Sequence, residues 1–161
     1  MESIKKIIHY LSWGIYTCII IYAIFWLPSI FGYKPLVVLS ESMEPTLKKG
    51  SLIYYESIDK EKIKIGDIIT FSANNEFISH RIVSIADDLY ETKGDANDVS
   101  DAVKIKYENI YGKNTNVNIN YVGYYIKFIN EHHYLVIISI LVLIIEFLLS
   151  NYVGKENLNE K

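Results

Sequence analysis

Hydrophobic residues are concentrated at the two ends of this chain, and polar residues are concentrated in its middle. Ile7 to Leu27 is 21 residues long and contains no Asp, Glu, Lys or Arg. Tyr134 to Val153 is 20 residues long and carries Glu146 as its only charge. A helix rises about 1.5 Å per residue, so about 20 residues cross a hydrocarbon core of roughly 30 Å. Both segments therefore predict transmembrane helices.

Each of these segments also has an alternative interpretation. Lys5 and Lys6 precede the first segment, as in a secretory signal, but the segment exceeds the usual apolar region of roughly 7–15 residues. The residues from Pro28 onward also make a poor cleavage site, so an uncleaved anchor is favoured. The second segment could be a buried core helix, but it has no polar face, and a helix that is apolar all round is usually a membrane span.

The two predicted spans divide the chain into four regions. These are a membrane anchor (1–31), a β-rich domain (32–131), a second transmembrane helix (132–153) and a polar tail (154–161) that we expect to be disordered. Two spans put both termini on one side of the membrane and the middle domain on the other. Lys5 and Lys6 favour a cytoplasmic N-terminus. We therefore expect a multi-pass cell-membrane protein with an extracytoplasmic domain.

The polar middle of the chain is predicted to form β-strands. Short runs of β-branched and aromatic residues alternate there with turn signals such as Gly66-Asp67, Asn74-Asn75 and Asp87-Asp88. No segment of this region shows the periodicity of a long helix, so an all-β domain with hairpins is expected. The predicted strands are 51–55, 68–71, 77–85, 89–92, 103–107, 110–111 and 117–125.

Length, charge and cysteine content exclude several classes of protein. A chain of 161 residues allows one domain of about 100 residues plus two spans, which excludes a multidomain soluble enzyme. Lys34 to Glu131 holds 12 Lys/Arg and 15 Asp/Glu residues, and this net charge of −3 argues against nucleic-acid binding. The single cysteine, Cys18, lies in the first apolar segment, so neither a disulfide nor a thiol nucleophile of the sortase kind is expected.

Three short clusters in the middle carry candidate chemistry. Residues 37–46 contain Ser40 and Ser42, and a serine becomes a nucleophile when a base takes its proton. His80 lies in residues 79–83, and imidazole is well suited to accept and return a proton near neutral pH. Residues 92–101 contain three carboxylates, any of which could orient the imidazole.

Spacing alone leaves simpler interpretations open for these residues. His80 could be an ordinary half-buried strand residue, and Asp95, Asp98 and Asp101 could form a solvated turn. A calcium loop is disfavoured because the EF-hand pattern places its ligands two residues apart and ends in a glutamate.

The order of the motifs is more specific than their spacing. Ser-x-Ser-Met-x-Pro-Thr, Gly-Asp-Ile-Ile-x-Phe, Ser-His-Arg-Ile-Val and Thr-Lys-Gly-Asp-Ala-Asn-x-x-x-Asp follow one another between Val37 and Asp101. This series resembles signal peptidase I, in the branch shared by the enzyme of the endoplasmic reticulum, archaea and the SipW enzymes of spore-forming bacteria. The resemblance continues to Tyr124, where Tyr121-Val-Gly-Tyr124 is similar to the family's closing strand motif.

The resemblance implies a role for each matching residue. Ser42 matches the nucleophile, His80 stands where the common bacterial branch has a lysine base, and Asp101 matches the third catalytic residue. Asp95 and Gly94 match a supporting Gly-Asp pair. Ser40 matches the residue whose hydroxyl joins the Ser42 backbone N–H in the oxyanion hole.

One position departs from the family pattern. Glu41 stands between the two serines, where the family commonly has glycine. If glycine provides backbone freedom there, Glu41 changes the geometry of the local turn.

The sequence therefore predicts a mainly β catalytic domain flanked by two transmembrane helices, acting as a serine endopeptidase that removes signal peptides. Its expected partners are signal-peptide-bearing preproteins, the lipid bilayer and an accessory membrane subunit, without nucleic acid, metal or other cofactor. Two alternatives stay open: a catalytically silent preprotein-binding subunit or scaffold of a processing complex, and a membrane-tethered binding module whose turns only mimic the motifs.

Overall fold

The computed structural model describes residues 2–73 and 76–159, and within these ranges it contains three α-helices and seven β-strands. Short 3-10 helices at Leu27–Phe31, Lys60–Lys62 and Tyr107–Asn109 connect some of them. In chain order the elements are α1 (Glu2–Trp26), β1 (Lys34–Val37), β2 (Leu52–Glu56), β3 (Ile68–Ala73), β4 (Glu76–Ala86), β5 (Leu89–Lys93), β6 (Ile105–Lys106), β7 (Ile110–Ile119), α2 (Val122–Glu131) and α3 (His133–Asn159).

The chain divides into two compact units. One combines the residues up to Ile24 with those from Phe128 onward, and it contains most of α1 and all of α3. Within this unit the Tyr22 hydroxyl donates a hydrogen bond of 2.9 Å to the side-chain carbonyl of Asn130. The other unit, Phe25–Lys127, contains the whole sheet. This unit contains residues 32–127 of the β-rich domain that the sequence predicts at 32–131.

One helical segment among the described residues is long and apolar enough to cross a membrane by itself. It runs from His9 to Phe31 and agrees with the first predicted span. The second predicted span corresponds to α3, which meets this criterion only together with α2, and the two helices are bent by 78° at the break between them. The structure therefore supports one candidate span, and the second stays a prediction.

The sheet has seven antiparallel strands in the order β1-β2-β7-β3-β4-β5-β6. Strands β3, β4 and β5 follow one another as hairpins, and β4 turns into β5 at Asp87 and Asp88, both with positive φ. Aspartate tolerates this left-handed conformation, which matches the right-handed twist of a hairpin. The turn predicted at Asp87-Asp88 is confirmed, whereas Asn74-Asn75 lies outside the described residues.

Two apolar clusters form the core of the sheet unit. The first lies on the face of β3, β4 and β5 and contains Ile63, Ile69, Phe71, Ile82, Tyr90 and Ile105. The second joins the sheet to the segment after β1 and contains Val38, Met43, Leu47, Ile53 and Ile68. Because Val38 precedes and Met43 follows the predicted nucleophile in sequence, the second cluster fixes the segment that carries Ser42.

The strand predicted at 117–125 is confirmed for 117–119 and wrong for the residues after them. Strand β7 is continuous from Ile110 to Ile119, a turn follows in which Tyr121 has a φ of 65°, and α2 begins at Val122. The motif at 121–124 therefore starts a helix instead of closing a strand. Gly123 allows this, since a Cβ there would lie 2.6 Å from the carbonyl oxygen of Ser51.

Two other differences concern the edge strand β1 and the end of helix α3. Strand β1 is not among the predicted strands. It contains Pro35 and lies at the sheet edge, where a missing N–H is tolerated. Helix α3 continues past Val153 to Asn159, where a polar tail is predicted, and residues 160 and 161 lie outside the described residues.

Candidate active site

Ser42 lies in a closed loop between β1 and β2. The loop is closed at its base, where the Val38 N–H donates to Ser51 and the Gly50 N–H donates to Val38, at 2.9 and 2.8 Å. Next to Ser42, the Met43 side chain is almost fully buried in the core. Because Met43 is buried, the half-exposed Ser42 beside it is held at a fixed position on the surface of the sheet unit.

His80 lies on β4, opposite Ile69 of β3 and on the same face as the buried Ile82. Side chains alternate between the two faces of a strand, so His80 points toward the core like Ile82, and it is 7% exposed. Its Nε2 lies 3.0 Å from the Ser42 hydroxyl oxygen, and its Nδ1 lies 2.7 Å from Oδ2 of Asp101. Three residues far apart in sequence are thus joined in one chain of hydrogen bonds.

Asp101 lies in the loop between β5 and β6, and two contacts hold this loop to β5. The Asp101 N–H donates to the carbonyl oxygen of Thr92 at 2.8 Å. The Thr92 hydroxyl donates to Oδ2 of Asp101 at 2.6 Å. Both contacts keep the carboxylate beside the strand pair that carries His80.

This chain of hydrogen bonds has the geometry needed to activate a serine. A carboxylate at Asp101 only accepts hydrogen bonds, so Nδ1 of His80 carries the proton and Nε2 is left as the acceptor for the Ser42 hydroxyl. A distance of 3.0 Å is within the reach at which a base takes a proton from a nucleophile. Ser42, His80 and Asp101, the three residues named from the sequence, are brought together.

The other serine of the loop also lies at this site. The Ser40 hydroxyl is 3.1 Å from the Ser42 hydroxyl, and Ser40 is exposed to solvent. A hydroxyl this close to a nucleophile is placed where it can donate to charge that develops on a substrate oxygen.

Asp95 lies beside this group but has different partners. Its two carboxylate oxygens accept hydrogen bonds of 2.8 and 2.7 Å from Nε and one terminal nitrogen of Arg81. The Thr46 hydroxyl also donates to Asp95. These bonds, the Arg81 bonds first, hold the pKa of the Asp95 carboxyl below its usual range. Asp95 therefore ties the Ser42 loop to β4.

Gly94 is packed directly against the nucleophile segment. A Cβ at this position would lie 2.5 Å from the carbonyl oxygen of Ser42. The same oxygen accepts a hydrogen bond of 2.9 Å from the N–H of Ala96. The Gly-Asp pair recognised in the sequence thus supports the Ser42 backbone through close backbone contact.

Glu41 fits its position without the special conformation that glycine allows. Among the described residues the non-glycine positions with positive φ are Asp87, Asp88, Asn116 and Tyr121, and Glu41 is not one of them. Its exposed carboxylate forms an ion pair of 3.1 Å with Lys49. The turn therefore accommodates a side chain between the two serines.

Arg81, Thr46 and Thr92 support the site but were not identified as supporting residues from the sequence. Arg81 and Thr92 belong to the motifs that contain His80 and Asp101, so membership of these motifs was the available signal. Within the described part of the chain, no group of three or more His, Cys, Asp or Glu side chains is arranged to hold a metal ion.

Several known proteins are similar in sequence to part of this chain. The chain is 40% identical over 94 residues to signal peptidase I W of Bacillus subtilis (strain 168), which is 55% of this chain and 50% of that protein. It is 34% identical over 73 residues to the human signal peptidase complex catalytic subunit SEC11C, covering 41% and 38% of the two chains. It is 34% identical over 114 residues to the SEC11 subunit of Lodderomyces elongisporus, covering 62% and 67%.

The chain spans about half the length, or less, of the first two of these relatives. A family match covers residues 10–137, and this range includes the Ser42 loop, β4 with His80 and the loop with Asp101. Because the match extends over most of the chain and over the whole group of hydrogen-bonded side chains, this chain belongs to the signal peptidase family, peptidase S26.

Proposed function

We propose that this chain is a membrane-bound serine endopeptidase that removes N-terminal signal peptides from exported preproteins. The observation that carries the proposal is the continuous hydrogen-bonded series from Ser42 through His80 to Asp101, with distances of 3.0 and 2.7 Å. The names of the similar proteins, signal peptidase I W and signal peptidase complex catalytic subunit, support the choice of substrate.

The chemistry follows from the placement of these three side chains. Ser42 attacks the scissile carbonyl carbon while Nε2 of His80 accepts the hydroxyl proton. The Asp101 carboxylate stabilises the imidazolium that forms. Protonated His80 then gives its proton to the leaving amine, and a water molecule releases the acyl group from Ser42 by the same steps in reverse order.

The negative oxygen of the tetrahedral intermediate needs hydrogen-bond donors. We assign this role to the Ser40 hydroxyl and the Ser42 backbone N–H, and the distance of 3.1 Å between the two hydroxyl oxygens supports it. Loss of one such donor typically lowers kcat by about 10²- to 10³-fold.

We also propose how the chain sits at the membrane. Residues 1–31 anchor it, residues 132–153 form a second span, and the sheet unit lies on the extracytoplasmic side. The candidate span ends at Phe31, and ten residues separate it from Ser42. At about 3.3 Å per residue this linker reaches at most about 35 Å, which keeps the nucleophile near the membrane surface.

Ser42→Ala tests the proposal. The variant is expected to lose cleavage of a purified preprotein in detergent while its unfolding midpoint stays unchanged. Ser84→Ala is the matched control, since Ser84 is also half-buried but lies on β4 outside the site. Full residual cleavage by Ser42→Ala contradicts the proposal.

The same assay separates the enzyme from the silent subunit or scaffold. One similar protein is by name the catalytic subunit of a complex, which makes an accessory membrane subunit a reasonable partner for this chain. Cleavage by the purified chain alone supports a self-sufficient enzyme. Cleavage only after addition of membrane extract supports the accessory subunit if it is lost with Ser42→Ala, and the silent subunit if it persists.

His80→Lys tests the identity of the base. Protonation of an imidazole removes the acceptor for the Ser42 proton, so cleavage by the unaltered chain should fall toward acidic pH. Lysine requires a higher pH to be neutral, so any remaining activity should move to alkaline pH. Full activity with an unchanged pH profile would show that His80 is not the base.

A further inference from the structure

Thr92 is a fully buried polar residue that contacts the proposed triad without belonging to it. It lies on β5 opposite Ile82 of β4, and its side chain is 0% exposed. His80 is two residues before Ile82 on the same strand, so Thr92 and His80 are diagonal neighbours on one face of the sheet. Their common face is the one that packs into the core.

The Thr92 hydroxyl and the imidazole converge on the same oxygen atom. Oδ2 of Asp101 accepts a bond of 2.6 Å from the Thr92 hydroxyl and one of 2.7 Å from Nδ1 of His80. The Asp101 backbone is held by the same residue, since its N–H donates to the carbonyl oxygen of Thr92 at 2.8 Å. Thr92 therefore fixes both the backbone and the carboxylate of Asp101.

Asp101 needs such support because of where it lies. Its loop between β5 and β6 is lined by exposed side chains such as Val99 and Val103. The terminal torsion of an aspartate is broad, so a carboxylate in a loop can rotate away from its partner. A threonine has a restricted χ1 and here lies in a paired strand, so its hydroxyl is a rigid donor.

We propose that Thr92 is a positioning residue that orients the Asp101 carboxylate toward His80, and so controls the rate of the reaction. This inference rests on the proposed function, since it assigns Thr92 a role only through the Ser42–His80–Asp101 series. The Thr92 side chain is fully buried and its hydroxyl donates to Asp101, so it acts through that residue. Its removal should therefore change turnover and leave substrate binding intact.

The test compares Thr92→Val with Thr92→Ser in the full-length chain in detergent, using a purified preprotein as substrate. Thr92→Val should lower kcat on the order of 10- to 100-fold with KM nearly unchanged, because misplaced catalytic groups cost rate without costing affinity. Thr92→Ser retains the hydroxyl and should keep most of the activity.

Thr70→Val is the matched control for loss of a buried threonine hydroxyl. Thr70 is also 0% exposed and lies on β3, on the other side of β4 from β5. Its hydroxyl shares a hydrogen bond of 2.9 Å with the hydroxyl of Ser79. Its loss should lower the unfolding midpoint about as much as Thr92→Val does, while kcat stays unchanged. Equal losses of kcat in Thr92→Val and Thr70→Val would show that Thr92 has only a structural role.

Two further measurements keep the outcome unambiguous. In an Asp101→Ala background, Thr92→Val should cause no further loss of kcat, because the residue it orients is absent. If Thr92→Val does not fold, Thr92→Cys replaces it, since a thiol is only a weak donor. Wild-type kcat in Thr92→Val overturns this inference alone, whereas full activity in Ser42→Ala overturns the proposed function.

Discussion

The ion pair between Arg81 and Asp95 should contribute measurably to stability, and Asp95→Asn removes its charge while keeping the shape. Asp95 accepts two hydrogen bonds from Arg81, and the two side chains are 15% and 33% exposed. Fully exposed pairs contribute about 0–1 kcal/mol, and breaking a fully buried pair costs about 3–5 kcal/mol. The Arg81–Asp95 pair is intermediate between these cases, so we expect Asp95→Asn to lower the free energy of unfolding by about 2 kcal/mol at neutral pH.

The free energy of unfolding that Asp95→Asn removes should depend on pH in a defined direction. Arg81 holds the pKa of the folded Asp95 carboxyl below its usual range, whereas an unfolded aspartate has a pKa of about 3.9. The stabilisation is therefore fully present above the unfolded pKa and is lost as the pH falls through the lower folded pKa. The difference between the two proteins should be constant from about pH 5 to 7 and shrink below about pH 4.

Urea unfolding of the full-length chain in detergent, followed by circular dichroism, measures this difference. Asp59→Asn is the matched control, because its pair with Lys62 is exposed on both sides and should leave the free energy of unfolding nearly unchanged. A double-mutant cycle with Arg81→Gln isolates the pairwise energy. Additive effects, or a difference that persists undiminished at low pH, would refute the reasoning.

Three further predictions concern the neighbourhood of the nucleophile. Gly94→Ala should lower both the unfolding midpoint and kcat, since the added Cβ would lie 2.5 Å from the Ser42 carbonyl oxygen; wild-type values of both would show that the two segments separate easily. Asp101→Asn should lower kcat on the order of 10⁴-fold in steady-state kinetics with little change in KM, because an amide no longer sets the imidazole tautomer; an unchanged kcat would move the orienting role to another carboxylate of the same loop. Glu41→Gly should leave cleavage near that of the unaltered chain and lower the free energy of unfolding by about 0.5–1 kcal/mol, because glycine adds backbone freedom that this turn does not need; increased stability in urea would indicate strain at this position.

The sequence predicted the features that depend on local pattern. The run from Ile7 to Leu27 is apolar throughout, and a candidate span at His9–Phe31 follows from that composition alone. The hairpins of β3, β4 and β5 follow from β-branched runs separated by short turn signals such as Asp87-Asp88. The motif order also singled out Ser42, His80 and Asp101, which the structure brings together in one hydrogen-bonded series.

Local pattern failed where long-range contacts decide the conformation. Residues 122–131 combine aromatic and β-branched side chains typical of a strand, yet they form α2, because Gly123 lets the helix approach Ser51 at backbone distance. Strand β1 contains Pro35 and is stable only as the edge partner of β2. Neither contact can be read from the residues of the segment itself.

The sequence by itself determined the apolar and polar regions and the hairpin strands, because each depends on neighbouring residues. The order of the motifs also marked Ser42, His80 and Asp101 as candidates for catalysis. Only the tertiary structure decided which carboxylate faces His80. Asp95 and Asp101 are both in the same loop region, but Arg81 binds the first, whereas Thr92 and His80 both bind the second. Strand register sets these distances, since a shift of one residue would turn His80 and Thr92 to the opposite face of the sheet.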